Sequence, residues 1–268
     1  MKQLEKTLNL LRYQLAKMSY MGKAPHLGSS LSCLDLIYEL YKSFLNIDPK
    51  DPNNPKRDRF ILSKGHAISA QYVVLANLGF FDDKLLESYN KDGSSLPEHP
   101  SPKCIAGVEC ATGSLGHGLS IGAGLALSSK IKQEDFKVVV LLSDGELNEG
   151  SVWEAGLFAS KHKLGNLTAI IDFNKWQATG RSKEVMQLDP LKDKWKSFGW
   201  DTYEIYGHDH IEITETFEKI KLNEKPSMVI ANTIKGKGIS FMEDDNNWHY
   251  RIPSIEDMGK IKEELKIT

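Results

Sequence analysis

The sequence predicts an α/β fold, a mostly parallel sheet with helices on both faces, on three observations. Two largely apolar runs, residues 137–142 and 167–171, have the make-up of strands buried on both faces. Between them, residues 152–163 carry a helical pattern, which completes a βαβ unit. The first run ends in Ser143-Asp144-Gly145, a turn that opens directly into a helix.

The remaining elements follow in order. Residues 1–22 place Leu4, Leu8, Leu11, Leu15 and Met18 on one helical face and stop at Gly22, with Pro25 just beyond. A loop over 23–30 then leads to a second helix expected at 31–44, its hydroxyl-rich start serving as a cap. A polar connection, 48–58, precedes a short strand at 59–63, which runs through Lys64-Gly65-His66 into a helix over 67–78. Pro97, Pro100 and Pro102 surround His99 in the next connection. Between Gly107 and Gly124 glycines crowd the chain, so the backbone there approaches something closely or helices pack tightly. Residues 200–206 and 228–233 are further strands around a helical pattern near 211–222, and 254–265 forms a last helix. No repeat or low-complexity tract divides residues 1–268, which are expected to form a single domain.

Composition excludes several classes. With 34 basic and 36 acidic residues, 40% apolar and 26% charged, the 268-residue chain is neither disordered nor built for nucleic acid. The run Val138–Val140 with Leu141 and Leu142 is far too short to span a membrane. The N-terminus alternates Lys and Glu with Leu and does not resemble a cleavable signal. Cys33, Cys104 and Cys110 are odd in number and lack metal spacing, which favours a reducing cytoplasm over disulfides.

The chemistry concentrates where strands end. Asp144 closes one run and Asn174 follows the next, so two consecutive parallel strands deliver a carboxylate and an amide oxygen to the same sheet edge. Mg²⁺ takes such oxygen ligands and completes its shell with phosphate oxygens and water. Gly145, at a helix start, lets a phosphate approach backbone N–H groups. Taken alone an Asp-Gly is most often a turn. Four loop histidines, His26, His66, His99 and His249, add groups suited to proton exchange near neutral pH.

In this arrangement the sequence resembles transketolase, specifically its N-terminal domain, from Ala24 to about Arg251. Asp144-Gly145 through Asn174 looks like the family's thiamine diphosphate signature, with Ser143 in place of its first glycine. The resemblance implies a thiamine-diphosphate-binding fold. It implies that Asp144, Asn174 and the main-chain carbonyl of Trp176 hold Mg²⁺, or Ca²⁺ in its place. Gly145, Glu146, Asn174, His66 and His249 would contact the cofactor, as would Gly113-Ser114-Leu115, which is similar to the family's Gly-Pro-Leu-Gly loop. His26, His66, His99 and His249 match family histidines that touch the diphosphate or sugar hydroxyls and move protons. Glu149 matches a glutamate near the dimer interface, although charge complementarity at a helix start would suit any Glu there. His117 is either a polar cofactor contact or a surface residue, Lys235-Gly236-Lys237-Gly238 either a family segment or a basic turn, and His162, His208 and His210 are expected at the surface.

The implied reaction moves a two-carbon ketol unit from a ketose phosphate to an aldose phosphate. In transketolases the carboxylate that activates the cofactor's pyrimidine lies in a second domain. The chain stops at Thr268, so the expectation is one half of a split enzyme, an α₂β₂ heterotetramer with a partner carrying the pyrimidine-binding and C-terminal domains. Alternatives are the α chain of a 2-oxo acid dehydrogenase, which fits the histidines less well, deoxyxylulose-phosphate synthase, which has a longer chain, and a non-catalytic assembly protein.

Overall fold

The structure, a computed structural model, describes residues 2–101, 104–221 and 223–267; Pro102 and Leu222 lie outside the described residues. Strands β1 (Arg59–Leu62), β2 (Val138–Ser143), β3 (Leu167–Phe173), β4 (Asp201–Tyr206) and β5 (Ser227–Asn232) make one sheet in the order β1-β2-β3-β5-β4. Every pair is parallel. The helices are α1 (Lys2–Gly22), α2 (Leu27–Glu39), α3 (Ile68–Asn77), α4 (Gly118–Lys132), α5 (Gly150–Lys161), α6 (Ser182–Val185), α7 (Leu191–Ser197), α8 (His210–Ile220) and α9 (Ile255–Glu264).

The pleat of β2 sorts its side chains between two cores. Val139 and Leu141 join Ile170 and Val229 under α1, α2, α3, α8 and α9. Val138, Val140 and Leu142 join Ala169, Ile171 and Ile230 under α4, α5 and α7. Both faces of the sheet are therefore covered, which is why the central strands read as continuous apolar runs rather than as alternation. Each fully buried Val or Leu contributes roughly 1.5–3 kcal/mol of transfer free energy.

Several expected boundaries shift. Helix α2 begins at Leu27, four residues before the expected start, with His26 in left-handed backbone at φ 69° as its cap residue. The hydroxyls expected to cap lie inside the helix and are buried. Ser30 donates to the His26 carbonyl at 3.2 Å, and Ser29 Oγ lies 3.4 Å from His249 Nδ1, so both hydroxyls find partners from within the helix. Strand β3 runs on to Phe173 and α5 starts at Gly150. Helix α9, expected over 254–265, is capped by Ser254 and Asp257 in a reciprocal box.

The glycine-rich stretch hides α4, which helix propensity argues against. Packing decides it: a Cβ on Gly122 would lie 2.4 Å from the Val140 side chain, so only glycine lets α4 sit this close to β2. No described helix is long and apolar enough to cross a membrane.

Candidate functional site

The site lies where β1, β2, β3 and β5 end. Paired register sets Ser143 opposite Asp172, so Asp144 and Asn174, just beyond these two strand ends, leave the sheet side by side. A cavity of about 410 Å³ opens there. Its wall includes Asp144, Gly145 and Asn174, and with them His26, His66, His99 and His249. Gly113, Leu115, Glu149 and Trp176 complete the set of expected residues that reach it. Segments far apart in the chain thus meet at one mouth.

Asp144 is buried, 1% exposed. It accepts the Gly145 N–H at 2.9 Å and the Ser182 hydroxyl at 2.6 Å, and has no basic partner among the described residues. Burial raises its carboxyl to about 7, a cost that a bound cation removes. Asn174 is oriented from below: its Nδ2 donates to Ser32 at 3.2 Å and to Asp172 at 3.4 Å, while its Oδ1 accepts the Trp176 N–H at 3.0 Å. Trp176 is pinned in turn by its indole N–H, 2.8 Å from Asp244, and by the Arg181 guanidinium stacked 3.7 Å above its ring. A Cβ added to Gly145 would meet nothing closer than 3.7 Å, so the backbone is open to a ligand. The Asp144 carboxylate, the Asn174 amide oxygen and the Trp176 carbonyl would make an all-oxygen donor set of the kind a hard cation takes.

The histidines form a cluster around His26, whose ring centroid is 4.8 Å from that of His249, 5.1 Å from His66 and 6.1 Å from His99. Burial, reinforced by His99, lowers His26 to about 4; burial and the Lys235 ammonium lower His249 to about 3. His66 also falls well below its ordinary value through burial and Lys64. These three imidazoles are neutral at pH 7. Lys235 donates to His249 Nδ1 at 3.1 Å, so Nε2 of that ring carries the proton.

Other expected residues stand elsewhere. Glu146 is fully buried, and its carboxylate accepts the Gly116 N–H at 3.0 Å, the Ser143 N–H at 2.9 Å and the Ser63 hydroxyl. It ties the glycine loop to the end of β2 and does not line the cavity. Ser114 is exposed and outside the cavity wall. His117 is exposed, its Nδ1 3.2 Å from the Leu115 carbonyl. Glu149 is exposed at the start of α5, where the helix-end and interface readings both remain compatible. The surface expectation holds for His162 and fails for His208, whose side chain is 3% exposed because it is drawn onto the buried Asp35 at 2.8 Å. His210 is half-buried against Asp35 and Glu39.

Sequence reasoning gave Lys64 no role and left Lys235 between a family segment and a basic turn. Lys64 is fully buried in the cavity wall and pairs with Asp172, which also accepts from Ser32 and Thr233. Burial alone would lower Lys64, but Asp172 outweighs it and holds the ammonium at about 12. Burial and repulsion from Lys64 lower Lys235 to about 8. A lysine directly after an apolar strand and before Gly-His was the available signal.

Residues 5–267 match the family model described as "Transketolase, thiamine diphosphate binding domain". The chain is 42% identical over 265 residues to an apulose-4-phosphate transketolase subunit of Actinobacillus succinogenes, covering 98% of this chain and 96% of that one. It is 42% identical over 219 residues to the 6-deoxy-6-sulfo-D-fructose transketolase subunit SqwG of a Clostridium species, 81% and 80% of the two chains. Human transketolase is 38% identical over 247 residues, 92% of this chain and 39% of its own length. The solved Campylobacter jejuni transketolase superposes with a TM-score of 0.91 at 31% identity, covering 99% of this chain and 43% of that one. The chain therefore spans about two fifths of the solved transketolases it matches. A match to the family model over residues 5–267, together with relatives at 42% identity along nearly the whole chain, leads to one conclusion: the chain belongs to the transketolase family, as a thiamine diphosphate binding domain.

Proposed function

We propose that this chain is the diphosphate-binding half of a two-chain transketolase that moves a two-carbon ketol unit between a ketose and an aldose. The observation that carries this is the convergence of Asp144, Asn174 and the four histidines on one cavity. Asp144, the Asn174 amide oxygen and the Trp176 carbonyl would hold Mg²⁺, with Ca²⁺ able to replace it, and the backbone at Gly145 would receive a phosphate. When bound, thiamine diphosphate supplies the nucleophilic carbon and electron sink that break and remake a carbon–carbon bond beside a carbonyl. His26, His66 and His249 are neutral, so each offers a bare ring nitrogen or an N–H to a sugar hydroxyl. His249 presents Nε2–H because Lys235 occupies Nδ1. His99 and Glu149 stand exposed at the rim. Gly113 and Leu115 would border the cofactor.

The relatives that match along most of their length are named as single subunits of transketolases, which supports a separate partner chain. Exposed Ile121, Leu157 and Phe158 on α4 and α5 offer apolar surface for it. Two copies of each chain are the proposed assembly. The names of the relatives include a sugar phosphate and a sulfo sugar, so we propose a ketose with an anionic end as donor. The single sheet with a core on each face supports one domain over 1–268, and three free cysteines suit a reducing cytoplasm.

The test is ketol transfer measured with thiamine diphosphate and Mg²⁺, with and without the co-purified partner. Transfer from a ketose phosphate that needs both chains is expected. Turnover of a 2-oxo acid instead, or full activity of the isolated chain, overturns the proposal.

A further inference from the structure

A buried polar chain outside the cavity ends on the segment that carries Lys235. Arg12 Nη2 donates to both carboxylate oxygens of Asp35, at 2.8 and 3.1 Å. His208 Nδ1 lies 2.8 Å from the same carboxylate, and its Nε2 accepts the backbone N–H of Ile234 at 2.9 Å. An acceptor nitrogen facing an N–H must be bare, so the proton of the neutral ring sits on Nδ1, toward Asp35. Asp35 therefore sets which ring nitrogen meets the chain.

Ile234 sits between two residues committed to the site. Thr233 donates to Asp172, the carboxylate beneath Asn174. Lys235 donates to Asn246 at 2.7 Å and to His249 at 3.1 Å. The turn that follows is gripped at both ends. Gly236 N–H donates to the Gly28 carbonyl at 3.0 Å, and a Cβ on Gly238 would lie 2.5 Å from the Arg12 side chain. Arg12 and His208, joined through Asp35, thus brace the two ends of one turn.

We infer that His208, oriented by Asp35, is a positioning residue that fixes the 233–238 turn and through it the placement of Lys235 and His249 toward the bound cofactor. This rests on the proposed function only for the identity of that cofactor. The two ring nitrogens have separable roles. In His208→Gln the side-chain oxygen reaches the Nε2 position and keeps an acceptor for Ile234. In His208→Asn the amide reaches only the Nδ1 position, keeps a donor for Asp35 and leaves the Ile234 N–H unpaired.

The experiment titrates the full chain, reconstituted with its partner, with thiamine diphosphate and Mg²⁺ by calorimetry. Loss of a supporting hydrogen bond should weaken binding about 10-fold in His208→Asn, with His208→Gln within about 3-fold of wild type. Nitrogen-15 spectra of the isolated chain should show the His208 proton on Nδ1, and Ile234 amide exchange should be slow in wild type and His208→Gln and fast in His208→Asn. Equal weakening in both variants, no weakening in a folded His208→Asn, or a proton on Nε2 overturns the inference. Should the wild-type complex bind no thiamine diphosphate, the proposed function falls. The proton position and the exchange pattern then still decide whether His208 holds the turn.

Discussion

Lys64 and Asp172 form an ion pair in which neither side chain is accessible to solvent, although 108 positions separate them in the chain. Asp172 accepts from Ser32, Thr233 and Asn174 as well, so the pair sits at the centre of the floor beneath the cavity. Removing one member strands the other without a counter-charge. Lys64→Met should therefore lower stability by about 3–5 kcal/mol in urea unfolding, and the double variant Lys64→Met/Asp172→Asn should recover part of the loss. A single variant as stable as wild type would contradict the pairing.

The histidine cluster makes the fold acid-sensitive. His26 and His249 lie near 4 and 3 in the folded chain and His66 is also depressed, against an ordinary value of 6.5. Below 6.5 the unfolded chain binds protons that the folded chain refuses, so stability falls as pH drops from about 6.5 toward 3–4, by up to about 1.4 kcal/mol per pH unit per imidazole. Asp144, raised to about 7, opposes this with one proton against three. Melting temperature should fall over that window, and His26→Gln/His249→Gln should flatten the profile.

The same reasoning runs the other way for His210, held at about 9 because Asp35 and Glu39 outweigh burial. Its contribution is complete below 6.5 and is lost as pH rises through 9. His210→Gln should leave the melting temperature at pH 9.5 nearly unchanged and lower it at pH 6.

Asp144→Asn keeps shape and removes a buried charge that has no basic partner among the described residues. Above pH 7 the cofactor-free chain should gain roughly 1–2 kcal/mol, because an isolated buried carboxylate is costly. Mg²⁺ and thiamine diphosphate affinity should fall more than about 10-fold. Calorimetry and thermal melts on the same preparation separate the two effects. A variant that is less stable yet keeps its metal affinity would remove Asp144 from the proposed metal site.

Gly116 has φ +82°, and an added Cβ would stand 2.5 Å from Glu149 Cβ. Gly116→Ala should cost about 1–3 kcal/mol and displace the start of α5, with Glu149 moving away from the cavity. Urea unfolding measures the first, and a crystal structure of the variant the second.

A mostly parallel sheet was legible in the sequence, because strands buried on both faces appear as unbroken apolar runs such as Val138 to Leu142. The sequence also determined which residues leave the strand ends, since Asp144, Gly145, Asn174 and the loop histidines sit at turns that local pattern marks. It left tight helix packing as one of two readings of the glycine-rich stretch, decided only once Gly122 is seen against Val140, and it placed Ser29 and Ser30 before α2 rather than inside it. The rest was decided by tertiary structure. Lys64 against Asp172 and His208 between Asp35 and Ile234 are contacts between segments remote in the chain, and a buried polar group takes whatever partner the fold brings within about 3 Å. Periodicity and turn chemistry are local and so are written along the sequence. Burial and pairing exist only once the segments have met.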